Sequence, residues 1–375
     1  MLVMQGDYFV YEDIIQSARG LGWKVQTIAT ANSGKAETSF LSTLLGLLVS
    51  FKPDFVLTIN HMGFDESGVL AGLLEQFGVP LASWFVDHPL PILGGAEANA
   101  RSNCQAFCFE RSALDWLASI GFDEPTYLPT GSNPSRFHPN AIDESLAIKF
   151  GRPLALVAGS WWQKAREDHS ETVLQLANDM AAKHKVDRSF VRKHLAQYLE
   201  VSDKSVGRAP FHAAQAALAE ASMRKRQSFV QALAPLNPVI FGDANWEKLI
   251  SNVQLEAQVD PNLELPAVFA GTQVNLNVTA EQMPTAVNQR VWDVPGSGAF
   301  LLTDAQEDVH LHFKEGHDIV TYNSFDEAHD KARFYLANDG ERHAIAQRAL
   351  QTIDTAHRTH HRLSTIEDIM RHRFS

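Results

Sequence analysis

PDFVLTINHMGFDESG, residues 53–68, is followed after one helix-like stretch by PLASWFVDHP, residues 80–89. Each opens on an apolar run, DFVLTI (Asp54–Ile59) and PLASWFV (Pro80–Val86). Each run ends on side chains that can do chemistry, Asn60-His61 in the first and Asp87-His88 in the second. Strands apolar on both faces are the ones that helices cover on both sides, which is the condition of a parallel sheet. The intervening Glu66–Phe77 has the pattern of a helix, so the segment predicts a strand-helix-strand crossover.

The same alternation extends outward. Leu2–Met4 precedes a helix-like stretch ending near Gly20-Leu21-Gly22, Trp23–Ala29 reads as a strand and Glu37–Phe51 as a helix. Ala106–Phe109 is a fifth strand, Ser112–Ile120 a helix, and TYLP (Thr126–Pro129) closes the series. TGSNPSRFHPN (Thr130–Asn140) is a cluster of turn-forming residues and reads as a linker. A second series starts at PLALVAGS (Pro153–Ser160) and resumes at NPVIFGD (Asn237–Asp243), QVNLNV (Gln273–Val278), GAFLLTD (Gly298–Asp304) and DIVTY (Asp318–Tyr322). The polar stretch between Arg166 and Leu233 shows no clear strand and reads as a helical insertion over about residues 167–235. The expected organisation is α/β: a Rossmann-like domain over 1–140, a second over 141–350 that carries the insertion, and a C-terminal helix over 351–375.

Composition narrows the function. The net charge of −12 over 375 residues argues against a general nucleic-acid binder, because phosphate-backbone binding needs clustered positive charge. Cys104 and Cys108 alone supply neither a disulfide scaffold nor a four-thiolate zinc site, and read as small buried hydrophobes. His310 and His312, and the group His357, His360 and His361, lack a carboxylate or thiol at metal-site spacing, so no metal is expected. MLVMQGDYFV has no signal-peptide pattern, and Leu41–Phe51 is too short to span a bilayer, so the expected setting is cytoplasmic without a membrane span.

In open parallel sheets, ligands bind at the carboxyl ends of strands. That rule selects Asn60-His61 and Asp87-His88 in the first half. In the second half it selects Gly159-Ser160, Gly242-Asp243, Thr279 and Thr303-Asp304. Two such domains facing each other would form one polar cleft. Asp87, His88 and His61 are candidates to deprotonate an acceptor hydroxyl, or else to hydrogen-bond loop backbone. Asp65-Glu66 reads as a helix start. In AGSWWQKAR (Ala158–Arg166), Gly159 and Ser160 at a helix start, with Lys164 and Arg166, suit a diphosphate, although a solvated helix start has the same pattern. In TAVNQRVWDVPGSGAFLLTD (Thr285–Asp304), Asn288, Arg290 and Asp293 fall on a short helix ended by Pro295-Gly296-Ser297-Gly298. Asp293 there can accept the hydroxyls of a ribose and Arg290 or Asn288 can reach phosphate; a surface Arg–Asp pair is the alternative.

With these residues laid out, a resemblance emerges. PDFVLTINHMGFDESG with PLASWFVDHP resembles the N-terminal domain of spore-maturation-protein (CgeB-like) glycosyltransferases. YLPTGSNPSRFHP (Tyr127–Pro139) looks like the passage between the domains of GT-B enzymes. NLNVT (Asn275–Thr279), NQRVWDVPGSGAFLLTD (Asn288–Asp304) and the stretch from Phe313 to Ala349 are similar to that family's C-terminal domain. The resemblance implies a GT-B fold, with parallel sheets facing a central cleft, and a nucleoside-diphosphate sugar donor bound without metal or other cofactor. It implies that Asp293, five positions before Gly298, holds the donor ribose, and that Gly159, Ser160 and Arg166 lie near the diphosphate. Many retaining relatives carry a glutamate seven positions before that acid; here the residue is Ala286, which leaves retention or inversion open. The expected function is transfer from a nucleotide sugar to an unidentified acceptor. The alternatives are a nucleotide-sugar epimerase, a non-catalytic nucleotide-sugar binding module, and, more distantly, a metal-dependent hydrolase built on His61, Asp65, Asp87 and His88.

Overall fold

The computed structural model describes residues 1–6, 10–30, 38–93, 99–165 and 209–374. Among these described residues twelve strands form two six-stranded sheets, and every neighbouring pair is parallel. The first sheet has the order β2-β1-β3-β4-β5-β6. Its strands are β1 (Leu2–Gln5), β2 (Gln26–Ala29), β3 (Val56–Ile59), β4 (Leu81–Phe85), β5 (Cys104–Cys108) and β6 (Thr126–Tyr127). The second has the order β12-β11-β10-β7-β8-β9. It contains β7 (Leu154–Val157), β8 (Val239–Phe241), β9 (Gln254–Glu256), β10 (Val274–Leu276), β11 (Leu301–Asp304) and β12 (Val320–Tyr322).

The central strands β3, β4 and β5 are buried throughout, with Thr58, Ser83 and Gln105 the buried polar residues among their apolar ones. Strand β9 escaped the sequence reading: it is a three-residue edge strand, Gln-Leu-Glu, with no apolar run to mark it. Cys104 and Cys108 are free and buried in β5. Burial pushes the Cys104 thiol up to about 12, so it stays neutral.

Two compact units follow the two sheets. Among the described residues, one comprises residues within 1–130 together with 209–211 and 359–374. The other comprises 131–165 and 212–358. The first unit therefore takes its last helix, Thr359–Phe374, from the far end of the chain. Leu363, Ile366 and Met370 of that helix enter one core with Val3, Ile14, Leu57 and Trp84. Fully burying such side chains contributes about 1.5–3 kcal/mol each.

The second unit's core packs Leu154, Ile240, Val274 and Leu302 of its sheet against Met223, Phe229 and Leu233. Those three lie on the helix Ala209–Leu233, in the region read from sequence as an insertion. The rest of that expected insertion, residues 166–208, lies outside the described residues.

Arg358, 1% exposed, ends the second unit. It donates to Ser132 Oγ, the Phe137 carbonyl and the Gly296 carbonyl, and pairs with Asp354 at 2.6 Å. Ser132 N also donates to the His357 carbonyl at 3.0 Å, and residues 132 and 358 form a parallel bridge. A Cβ on Gly131 would stand 2.9 Å from the His357 oxygen, so only glycine fits this close approach.

Candidate functional site

In the second unit, polar side chains gather at the carboxyl ends of β7, β8, β10 and β11. Asp243, just past β8, accepts from Ser160 N at 2.6 Å, Ser160 Oγ at 2.7 Å and Asn245 N at 3.1 Å. Partial burial opposes its ionisation, but these bonds from Ser160 and Asn245 hold it below the ordinary carboxylate value. Asp304, ending β11, is engaged on both oxygens. Oδ1 accepts from Thr279 N at 3.0 Å and Thr279 Oγ1 at 2.8 Å, and Oδ2 takes Lys225 Nζ at 3.2 Å. Lys225 Nζ also pairs with Glu281 Oε1 at 3.3 Å.

Two guanidinium groups stand among these saturated carboxylates. Arg226, 6% exposed, donates through Nη1 to the Gly159 carbonyl at 2.6 Å, and its Cζ lies 5.5 Å from the Trp161 ring centroid. Its Nε is buried with no hydrogen-bond partner. Trp161 itself holds φ 67°, a left-handed conformation that is strained for a bulky residue. Arg290 donates through Nε to Asn277 Oδ1 at 2.7 Å, and neither of its terminal nitrogens bonds to any described residue.

Burial, and then the charge of Arg290, pushes Arg226 down to about 9; Asp304 and Asp243 oppose the shift. Burial pushes Arg290 down to about 10, against Asp304, Tyr322 and Asp293. Both remain cationic at neutral pH. The acceptors of the cluster are thus satisfied by its own backbone, hydroxyls and lysine, while Arg226 keeps a buried N–H donor unspent and half-buried Arg290 keeps its terminal nitrogens. A buried donor left unpaired costs about 1–3 kcal/mol. An oxyanion removes that cost.

The expected donor-side residues fall as follows. Gly159 and Ser160 belong to this cluster, through Arg226 and Asp243 respectively. Lys164 lies in the single helical turn Trp162–Ala165, and Arg166 lies outside the described residues. Asn288 precedes the helix Arg290–Gly296 rather than joining it. Its amide is engaged at both ends, donating to Asn277 Oδ1 at 2.8 Å and accepting from Arg290 N at 3.2 Å, so it positions Arg290. The helix runs through Pro295 to Gly296 instead of ending before them. Asp293 is 4% exposed on its first turn, and Oδ1 accepts from Gln289 Nε2 at 3.0 Å. Ala286 is buried. Lys225, Arg226, Glu281 and Asn277 were not singled out from sequence. The run Arg224-Lys225-Arg226, close before the NPVIFGD strand, was the available signal.

In the first unit, Asn60 and Asp87 meet across the ends of β3 and β4, with Asn60 Nδ2 donating to Asp87 Oδ2 at 2.8 Å. Asn60 Oδ1 accepts from Val86 N and Asp87 N at 2.9 and 3.1 Å. His88 is 8% exposed, and Leu90 N donates to its Nδ1 at 3.3 Å. Burial lowers its pKa, with Glu110 and Asp87 opposing.

His61 has a different environment. It packs against Phe64, Phe85 and Phe122 with ring centroids at 4.5, 6.2 and 6.5 Å, and its Nδ1 meets Ser83 Oγ at 2.9 Å. Burial lowers it to about 4. It is a neutral member of an aromatic core, poorly placed to collect a proton from a substrate. Asp65 takes the expected helix-start role, accepting from Val69 N at 3.0 Å and Leu70 N at 2.9 Å. Among the described residues no group of three or more His, Cys, Asp or Glu side chains could hold a metal ion. Among them, too, no helix is long and apolar enough to cross a membrane.

Residues 224–368 match the model of the family described as glycosyl transferase-like. No curated protein matches the chain. A glycosyltransferase structure from Rickettsia africae is 10% identical, covers 100% of this chain and 98% of its own, and superposes with a TM-score of 0.58. Sucrose-phosphate synthase from Thermosynechococcus elongatus, 9% identical, covers 100% and 98% with a TM-score of 0.62. Anabaena HepE, solved in complex with UDP, is 9% identical, covers 98% of each chain and has a TM-score of 0.58. At such identities the likeness establishes the fold alone: α/β, with two six-stranded parallel sheets, as in GT-B glycosyltransferases.

Proposed function

We propose that the chain is a glycosyltransferase that moves a sugar from a nucleoside-diphosphate donor to an acceptor nucleophile. The observation that carries this is the pair of guanidinium groups, Arg226 buried with an unpartnered Nε and Arg290 half-buried with only its Nε engaged, among carboxylates that already accept hydrogen bonds. Both lie inside the segment that matches the glycosyl transferase-like family, and HepE of the same fold is named as binding UDP.

In this reading the donor diphosphate sits on Arg226 and Arg290, with Gly159 and Ser160 beside it. As the anomeric carbon–oxygen bond breaks, negative charge grows on the departing diphosphate. Donors already fixed by Gly159, Trp161 and Asn277 stabilise that charge without having to reorganise. The guanidinium charge takes the part a metal ion would otherwise play, so turnover is expected to survive chelation. Asp293 holds the ribose. If the reaction inverts, Asp87 accepts the acceptor's proton. The CgeB-like branch is supported by the motifs around residues 53–89 and 288–304, and a cytoplasmic setting by the two free thiols.

The direct test is a thermal-shift screen of UDP, GDP and their sugar conjugates, because a ligand that binds only the native form raises its stability. A raised melting temperature with one nucleotide family, followed by acceptor-dependent release of that nucleotide, is expected. No shift with any of them would reject the reading.

A further inference from the structure

We propose that Gln289 is the positioning residue for Asp293: its amide nitrogen fixes the carboxylate in the orientation that meets the ribose hydroxyls of the donor. The proposal deepens the glycosyltransferase reading and rests on it for Asp293 as the ribose ligand.

Gln289 stands one helical turn before Asp293, at the start of the helix Arg290–Gly296, and its carbonyl accepts from Asp293 N at 3.0 Å. Side chains four apart share a helix face. Here they meet. Nε2 directs one N–H to Asp293 Oδ1 at 3.0 Å and the other to the Gly131 carbonyl at 2.9 Å. Both partners are acceptors, so only the nitrogen end of the amide can face them. Gln289 Oε1 is thereby left buried with no hydrogen-bond partner. An acceptor stranded in this way is destabilising, and it persists where the bonds made by the other end of the amide outweigh it.

The Gly131 carbonyl is itself held in place. It belongs to the same peptide unit as Ser132 N, which donates to the His357 carbonyl at 3.0 Å. The far end of the helix is braced against the same segment. A Cβ on Gly296 would overlap Ser132 Oγ, and the Gly296 carbonyl accepts from Arg358 Nη2 at 3.2 Å. Residues 131 and 132 thus hold the helix at Gln289 and at Gly296, with Asp293 between. Bracing alone needs only the bond to Gly131. The second N–H goes to the carboxylate, where it restrains a rotation that Asp293 would otherwise give up on binding. A carboxylate set before the hydroxyls arrive loses less entropy when they do.

The test is calorimetric titration of the full chain with UDP, GDP and their 2′,3′-dideoxy forms, beside thermal melting. The native protein should prefer the ribose form of the nucleotide it binds by roughly tenfold or more. Gln289→Met keeps the length of the side chain and removes its donors. It should weaken the ribose form roughly five- to tenfold and leave the dideoxy form within about twofold. Added to Asp293→Ala it should cost the ribose form little further, because the two residues act through one carboxylate. If Gln289→Met does not fold, Gln289→Glu keeps the native shape but turns acceptors towards acceptors, and the same loss is expected from it. A ribose preference that survives in the variant, or equal losses for both forms, overturns the proposal and leaves the donor site standing. A native protein that binds both forms equally removes Asp293 from the ribose, and Gln289 with it. Binding of no nucleotide overturns the glycosyltransferase reading and this inference together.

Discussion

Arg226 Nη1 donates to the Gly159 carbonyl at 2.6 Å, joining residues 67 positions apart. That bond draws a helix with no motif of its own to the end of β7, and it makes Arg226 the residue by which the donor site is best probed.

Replacing Arg226 with Met should weaken UDP or GDP binding by about 10- to 100-fold, the loss of roughly 1.5–3 kcal/mol of charge-assisted hydrogen bonds. Without ligand, the melting temperature should hold or rise, because a buried cation with an unpartnered Nε has been removed. Lys at the same position should not restore affinity, since it lacks the planar fork. Calorimetric titration beside thermal melting checks both. Unchanged affinity would take Arg226 out of the site.

Asp293 is predicted to hold the ribose. Asp293→Ala should cost about 1–3 kcal/mol of nucleotide binding. A 2′-deoxy nucleotide should cost the native protein a similar amount and the variant little more. Additive losses in the double comparison would show that Asp293 acts elsewhere.

His61 predicts a pH dependence of stability. Its folded value is about 4, below the ordinary 6.5 that it regains on unfolding. The unfolded chain therefore takes up a proton that the folded one refuses as pH falls from 6.5 towards 4. Stability is full above that window and is lost through it, by roughly 2–3 kcal/mol for this group alone. His61→Phe keeps the aromatic packing and should flatten this part of the profile. Urea midpoints at pH 7 and pH 4.5, in both proteins, give the answer; an identical acid decline in the two would contradict the prediction.

In an inverting reaction, Asp87→Asn should abolish or severely slow transfer while nucleotide binding persists, since the donor residues named above lie in the second unit. Full activity in this variant would exclude Asp87 as the base.

Much of this was legible in the sequence. The apolar runs of β3, β4, β7, β8, β10 and β11 announced a parallel sheet, and their ends carry Asp87, Ser160, Asp243, Thr279 and Asp304. What escaped depends on partners distant along the chain. Arg226 sits in a polar helix whose pattern says nothing of Gly159. His61 looked like a base because nothing local reveals that Phe85 and Phe122 will enclose it. Asn288 looked like a phosphate ligand because its bond to Asn277 exists only once β10 is in place. Strand β9 is three residues long and polar at both ends, so its pairing with β8 creates it.

The helix Thr359–Phe374 also bears on how the molecule is made. Leu363, Ile366 and Met370 complete a core whose other members, from Met1 to Leu128, leave the ribosome more than two hundred residues earlier. During synthesis the first unit must wait, with that apolar seam uncovered, while residues 131–358 emerge and are free to fold. Vectorial translation therefore favours completion of the later unit first, and an interrupted message would release an earlier unit that is open to chaperones and proteases.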